Sequence, residues 1–345
     1  AVTSNETTLA RGEVTSSSAV STATLAVTVT AVADAPTAVV SDLTTEEDTP
    51  VSLSALGGTL TDADGSETLS YRIENAPADV TFNGGTDLGG GTWSFTAAEL
   101  AALTLTPPTH WHGAIPMTLV VISTEMSTGL SSETAAAFTV TVDAQADAPT
   151  VAAGPTSTNE DTQVNFGNDI SYALVDGDGS ESVTDVTITG VPAGATVVWT
   201  AVPGVTVTPV AGGYSITGAV PADIRTLVDS LAITPALHDG NDITLTVAVT
   251  TTDADGSMAT TNTPHVIDVV PVADAPTVPA GSTAVNEDTA TVFGTNITYT
   301  LVDGDGSESV TSVTVTGFPL GSTTAYTAGG ATVTAVAGGY EVTGT

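Results

Sequence analysis

The sequence predicts an all-β fold built as tandem β-sandwiches. Three observations lead there: a phrase that returns at domain-sized intervals, apolar residues alternating in twos with polar ones, and turn-forming residues clustered between those runs. The returning phrase is Ala-Asp-Ala-Pro-Thr, at 33–37, 146–150 and 273–277. Its aspartates, Asp34, Asp147 and Asp274, stand 113 and 127 residues apart, the length of one sandwich each. The expected organisation is therefore residues 1–34 as the last strands of a preceding repeat, 35–147 and 148–274 as complete repeats, the second longer in its later half, and 275–345 as the first part of a following repeat. At the start, Ala1-Val-Thr-Ser-Asn-Glu6 lies like Ala248-Val-Thr-Thr-Thr-Asp253. At the far end, Gly338-Gly-Tyr-Glu-Val-Thr-Gly344 matches Gly212-Gly-Tyr-Ser-Ile-Thr-Gly218. Both ends read as a window on a longer array.

Between these marks the period is two. Leu25–Val32, Val183–Thr189 and Ile243–Thr250 alternate as half-buried strands do, rich in the Val and Thr that favour a pleated surface. Only Ala97–Leu105 and Ala222–Leu231 read as helical, for a turn or two. Some seven short strands in a unit of this length suggest an immunoglobulin-like or cadherin-like sandwich.

Hydrophobic residues at 41% and a mean hydropathy of +0.27 are ample for real cores, so the chain is no disordered acidic tail. Against 39 Asp and Glu stand three basic residues, Arg11, Arg72 and Arg225, and a formal charge of -36. Nucleic acid is excluded as a partner because binding it needs Lys and Arg to neutralise phosphates, and anionic membranes are disfavoured for the same reason. Cations remain, against the plainer reading of a carboxylate coat that hydrates the surface in salt. With no cysteine, disulfides, thiolate zinc and a cysteine nucleophile are all excluded. No run approaches the ~18 apolar residues of a membrane span, so direct membrane insertion is not expected.

The acidic residues recur in register. A Glu-Asp pair (Glu47 and Asp48, Glu160 and Asp161, Glu287 and Asp288) ends 14 residues after each linker aspartate. Asp-x-Asp-Gly-Ser-Glu then follows at 62–67, 176–181 and 303–308, bringing Asp62, Asp64 and Glu67, Asp176, Asp178 and Glu181, and Asp303, Asp305 and Glu308. Three carboxylates within six residues around a glycine fit a calcium loop, since a hard cation takes six to eight oxygens and glycine relieves the turn. It is not an EF-hand, having no glutamate at the twelfth loop position and no flanking helices. So many like charges close together call for a cation.

Asn159-Glu-Asp-Thr162, Val175-Asp-Gly-Asp-Gly-Ser-Glu-Ser-Val183, Thr189-Gly-Val-Pro-Ala-Gly-Ala195 and the Ala-Asp-Ala-Pro linkers resemble the cadherin-like repeats of giant RTX-type adhesins that bacteria export by type I secretion. The resemblance implies an elongated rod at the bacterial cell surface, with calcium bound at the joints between neighbouring repeats. It assigns Glu47, Asp48, Asp143, Asp147, Asp176, Asp178, Glu181, Asp253 and Asp255 to the middle joint. It assigns Glu160, Asp161, Asp274, Asp303, Asp305 and Glu308 to the last, with Asp239 and Asp242 as further donors, and Asp34, Asp62, Asp64 and Glu67 to the first. Where the second repeat has Asp253 and Asp255, the first reads Ser123-Thr-Glu-Met-Ser127, implying a poorer upper site. Partners are then calcium ions, adjacent repeats of the same chain, and lateral or head-to-tail copies; the adhesion target is not encoded here.

Rival readings are weaker. Repeated loops are unlike the unique carboxylate pair of a glycosidase, and His110, His112, His238 and His265 carry no nucleophile motif, so no enzyme is expected. His110-x-His112 is a weak transition-metal signal without a third ligand. A glycan-binding module is the main alternative: Trp93 aligns with Tyr214 and Tyr340 as a core aromatic, whereas Trp111 and Trp199 do not recur and stand as candidate sugar platforms. Threonine rows such as Thr28 and Thr30, which an ice-binding face would also show, follow more simply from β propensity.

Overall fold

The computed structural model describes residues 1–10, 13–62, 64–177, 179–327 and 329–344. The chain divides into two compact units, residues 1–108 with 113–142, and residues 109–112 with 143–345.

The first unit holds a hairpin, Val2–Ala10 with Glu13–Ser21, and one β-sandwich. The sandwich has a six-stranded sheet in the order Leu43–Glu46, Ser131–Asp143, Gly113–Glu125, Glu67–Glu74, Thr92–Thr96, Thr86–Gly89. Facing it is a three-stranded sheet of Val51–Ser52, Thr104–Thr106 and Thr81–Phe82. Alternation decides the faces. Along Gly113–Glu125, Ile115, Met117, Leu119 and Val121 are buried, and Leu53, Leu103, Leu105 and Phe138 complete the core. Fully burying one such side chain contributes ~1.5–3 kcal/mol.

The second unit repeats this order: Thr156–Asn159, Met258–Val270, Ile243–Thr252, Ser182–Thr189, Gly213–Gly218, Val205–Val210, opposite Val164–Asn165, Ala232–Thr234 and Thr196–Val198. Thr156–Asn159 runs parallel to Met258–Val270, so an early strand and the last strand of the sandwich are neighbours. That pairing sets Glu160 beside the exit of the last strand, where its N–H donates to the Val270 carbonyl at 3.1 Å. Leu245, Val247 and Val249 pack against Phe166, Ile170 and the helix Pro221–Asp229. Pro221 begins that helix with no N–H to leave unpaired, and Ile224, Leu227 and Val228 bury the i, i+3, i+4 stripe. Beyond it, Ser312–Thr316, Gly339–Thr343 and Thr332–Val336 form a three-stranded sheet.

All-β tandem sandwiches are what the sequence predicts and what the chain forms. Two local expectations change. The first helix spans only Ala97–Ala101, held by a capping box between Thr96 and Glu99; Thr104–Thr106 joins a sheet instead, where Leu105 pairs with Val51 and Phe82. Leu25–Val32 is no strand: Leu25 is 89% and Val29 87% exposed, and no described strand pairs with it. Alternation specifies a strand only where a neighbouring edge accepts its hydrogen bonds.

Candidate metal centre

Two of the Asp-x-Asp-Gly-Ser-Glu loops, 62–67 and 303–308, fold around themselves first, as does the 253–257 loop. Asp64 Oδ1 accepts the Ser66 N–H at 2.7 Å and Asp305 Oδ1 that of Ser307 at 2.8 Å; Asp255 treats Ser257 alike at 2.7 Å. Serine hydrogen bonds hold the Asp64 and Asp255 carboxyls below their ordinary range, and the Ser307 N–H does the same for Asp305. The loops turn at Gly65, Gly179, Gly306 and Gly256, with φ between 85° and 93°, a region open to glycine and costly to other residues. The aspartate of every Glu-Asp pair is left-handed too: Asp48 at 54°, Asp161 at 57° and Asp288 at 55°.

The glutamate that ends each loop reaches back to the linker. Glu67 Oε1 accepts the Asp34 N–H at 2.6 Å, Glu181 Oε1 that of Asp147 at 2.5 Å, and Glu308 Oε1 that of Asp274. In all three the other oxygen, Oε2, is buried and accepts no hydrogen bond. Glu160 repeats the pattern from the opposite end of its sandwich, with Oε1 on the Val272 N–H and Oε2 buried without a donor. A buried carboxylate oxygen lacking a donor is costly unless a cation or a proton meets it.

Nearby hydroxyls fix the linker backbone from the sheet: Ser123 Oγ donates to the Asp34 carbonyl and Thr251 Oγ1 to that of Asp147, at 2.5 and 2.6 Å. This equivalence of Ser123 and Thr251 makes Glu125 the counterpart of Asp253. Both are buried, at 2% and 4% exposure. The first sandwich therefore keeps a buried carboxylate, Glu125, where the sequence implies a poorer upper site. Asp176 and Asp253 are drawn together by the Ser180 hydroxyl, 3.0 Å from Asp176 Oδ2 and 2.8 Å from Asp253 Oδ2. Burial raises the Glu181 carboxyl, and the charges of Asp147 and Asp176 act the same way.

One cluster gathers Glu160, Asp161, Asp274, Asp303 and Glu308. Asp303 is 8% exposed, and burial, then the charges of Glu160, Glu308 and Asp274, raise its carboxyl. Asp305 Oδ2 accepts the Gly240 N–H at 3.0 Å. His238 enters the same cluster, its Nδ1 lying 2.8 Å from Asp274 Oδ2, 3.2 Å from Asp161 Oδ2 and 3.5 Å from Asp303 Oδ1. The sequence marks His238 only as a histidine without a nucleophile motif.

Other expected donors stand differently. Asp239 and Asp242 turn an oxygen to their own sandwich's backbone, to Asn241 N–H and Val269 N–H at 3.1 Å each. Glu47 is buried at the end of its strand. Asp143 ends its strand exposed, and Asp34, Asp48, Asp64, Asp161, Asp255, Glu287, Asp288 and Asp305 are exposed as well, whereas Asp62 is half-buried. Glu287 and Asp288 join no group of three donors among the described residues. Asp178 lies outside the described residues. Trp199 is not a free platform: it packs against the second core and meets Tyr214 edge to face, 5.2 Å between centroids. Trp93 meets Phe82 in the same way at 5.3 Å.

The donors fit a hard divalent cation: they are carboxylates, several are buried, and their unpaired oxygens recur at equivalent positions of successive repeats. No described helix is long and apolar enough to cross a membrane.

No protein-family model matches the chain, and no curated protein matches it. Solved cadherin repeats are similar to it. Human mucin-like protocadherin EC1-2 shares 14% identity over 69% of this chain and 98% of that one, with a TM-score of 0.30. Human CDH23 EC21-23 shares 14% over 90% of each chain, TM-score 0.37, and mouse cadherin-23 EC22-24 shares 12% over 69% and 65%, TM-score 0.30.

Proposed function

We propose that the chain is a structural extender of a calcium-dependent extracellular adhesin or surface fibre, non-catalytic, in which calcium stiffens the joints between successive sandwiches. The observation that carries this reading is the glutamate clamp. Three times, a loop glutamate spends one oxygen on the N–H of the linker aspartate and holds the other buried without a donor. Backbone and side chain of the linker are thereby presented to the same carboxylate set.

The bound ion supplies charge neutralisation and oxygen coordination; the protein residues do the rest. Glu67, Glu181 and Glu308 fix where the linker enters its sandwich, Ser123 and Thr251 hold its carbonyl, and the aspartates of the loop and linker provide the remaining oxygens. Extracellular calcium modules work at roughly 10⁻⁴ to 10⁻³ M, so millimolar calcium outside a cell fills such sites and a calcium-poor cytoplasm does not. That difference suits a chain exported unfolded. A bacterial, type I secreted setting follows from the motif resemblance, with neighbouring repeats of the chain as the first partners and lateral or head-to-tail copies as further ones.

The test is small-angle scattering with millimolar calcium and with chelator. A rise in maximum dimension on adding calcium is expected; an unchanged profile together with no calcium uptake by calorimetry refutes the reading.

A further inference from the structure

We infer that the His238 loop builds a second kind of metal site, which takes a divalent transition ion of the zinc class through the His238 imidazole nitrogen together with carboxylates of Asp161, Asp274 and Asp303. The inference goes beyond the calcium reading, sharing these three aspartates with it and adding a nitrogen donor that a hard, oxygen-seeking cation does not call for.

Geometry makes the first argument. Nδ1 of His238 lies 2.8, 3.2 and 3.5 Å from one oxygen each of Asp274, Asp161 and Asp303. All three oxygens lie within 3.5 Å of the nitrogen, and none meets it in hydrogen-bond alignment. Ligands held at about 2.0–2.1 Å from a tetrahedral ion stand roughly 3.3 Å apart, the spacing found here.

Construction makes the second. His238 is left-handed at φ 55°, and its N–H donates to Asp161 Oδ1 at 2.8 Å. One oxygen of Asp161 therefore locks the loop while the other faces the ring.

An independent pointer to a ligand comes from the floor of the cluster. Asp303 and Glu160 are 8% and 4% exposed, and Asp303 Oδ2 and Glu160 Oε2 accept no hydrogen bond; the charge of Glu160 acts on Asp303 across the cluster. Buried, unpartnered carboxylate oxygens beside an imidazole nitrogen require a cation more strongly than a ring of exposed acids does.

Recurrence completes the case. Thr106-Pro-Pro-Thr-His110 aligns with Thr234-Pro-Ala-Leu-His238, and His110 has φ 51° and Nδ1 2.6 Å from Asp147 Oδ2, the counterpart of Asp274. At His110, as at His238, the linker aspartate supplies a carboxylate oxygen beside the ring.

The experiment titrates the full chain with Co²⁺ and Zn²⁺ in calcium-free buffer, and with calcium in a separate titration, followed by visible absorption and calorimetry, beside the double variant His110→Asn, His238→Asn. Asparagine tolerates the left-handed backbone, and circular dichroism checks that the variant folds. Expected are saturable Co²⁺ bands in the parent, at least a tenfold loss of Co²⁺ and Zn²⁺ affinity in the variant, and calcium affinity within about twofold of the parent. Independently of any variant, the cobalt-loaded parent gives a hyperfine-shifted exchangeable imidazole N–H resonance. Unchanged Zn²⁺ affinity in the variant, no saturable Co²⁺ or Zn²⁺ binding by the parent, or loss of calcium and Zn²⁺ together overturns the inference. Zn²⁺ binding that depends on the histidines in a chain that takes up no calcium upholds it while removing the extender reading.

Discussion

Glu181 shows how a single carboxylate can be both necessary and costly. Its Oε1 caps the Asp147 N–H, while its Oε2 is buried without a donor, and burial raises its carboxyl as it raises that of Asp303. A carboxyl whose pKa is higher in the folded chain contributes stability below its unfolded pKa and loses that contribution as pH rises through the folded value. In chelator the Glu181 and Asp303 contributions should therefore be lost as pH rises from the ordinary carboxyl range through their raised values, and calcium should reverse that slope; thermal melts across pH with and without calcium check both signs. Glu181→Gln keeps the cap and removes the buried charge. It should raise the melting temperature in chelator and lower calcium affinity about tenfold, read by calorimetry; unchanged affinity would mean that Glu181 is only a linker cap. His265 carries the opposite sign. It is fully buried with Nε2 3.1 Å from Thr156 Oγ1, and burial lowers its pKa below 6.5. Its contribution is present above pH 6.5 and lost as pH falls through the lowered value, so His265→Leu should flatten the acid side of the melting profile.

At the scale of elements, the strands carry the fold and the loops carry the chemistry. Leu119 and Leu245 are fully buried at the centres of the two large sheets, and Leu→Ala at either should cost about 2–5 kcal/mol in urea unfolding, against little effect on calcium affinity measured under folding conditions. Trp199 belongs to this stability class. Removing it with Trp199→Ala should lose the edge-to-face pair with Tyr214, about 0.5–1.5 kcal/mol beyond the area it buries, and leave glycan-array signals unchanged. The short helices act as plugs. Thr96 and Glu99 close one by a capping box, and Arg225 holds Asp229 at 2.6 Å across one turn of the other.

For the whole molecule, a formal charge of -36 leaves two explanations: a hydrated coat that needs bulk salt, or sites that need a particular ion. They separate in one measurement. At 1 M monovalent salt the Debye length falls to ~3 Å, enough to screen an exposed coat but not to coordinate a buried oxygen. Millimolar calcium should raise the melting temperature above the value that 1 M NaCl gives in chelator, each independent site adding about 0.4–1.4 kcal/mol at one to ten times its dissociation constant. Equal stabilisation by both would favour the coat.

The sequence by itself determined the sandwich class, the repeat period and the acidic loops. Those features are local: period-two alternation sets which face of Ile243–Thr252 is buried, and Asp-x-Asp-Gly-Ser-Glu encodes its own turn through Gly65, Gly179 and Gly306. Only the tertiary structure decided which oxygens are left without donors, that Glu125 stands where Asp253 does, that Leu25–Val32 has no edge to join, and that His238 faces Asp161 and Asp274, 77 and 36 residues away in the chain. Each of these depends on which distant strands become neighbours, and a pairing across many residues is fixed by the packing of whole sheets rather than by any pattern readable within one segment.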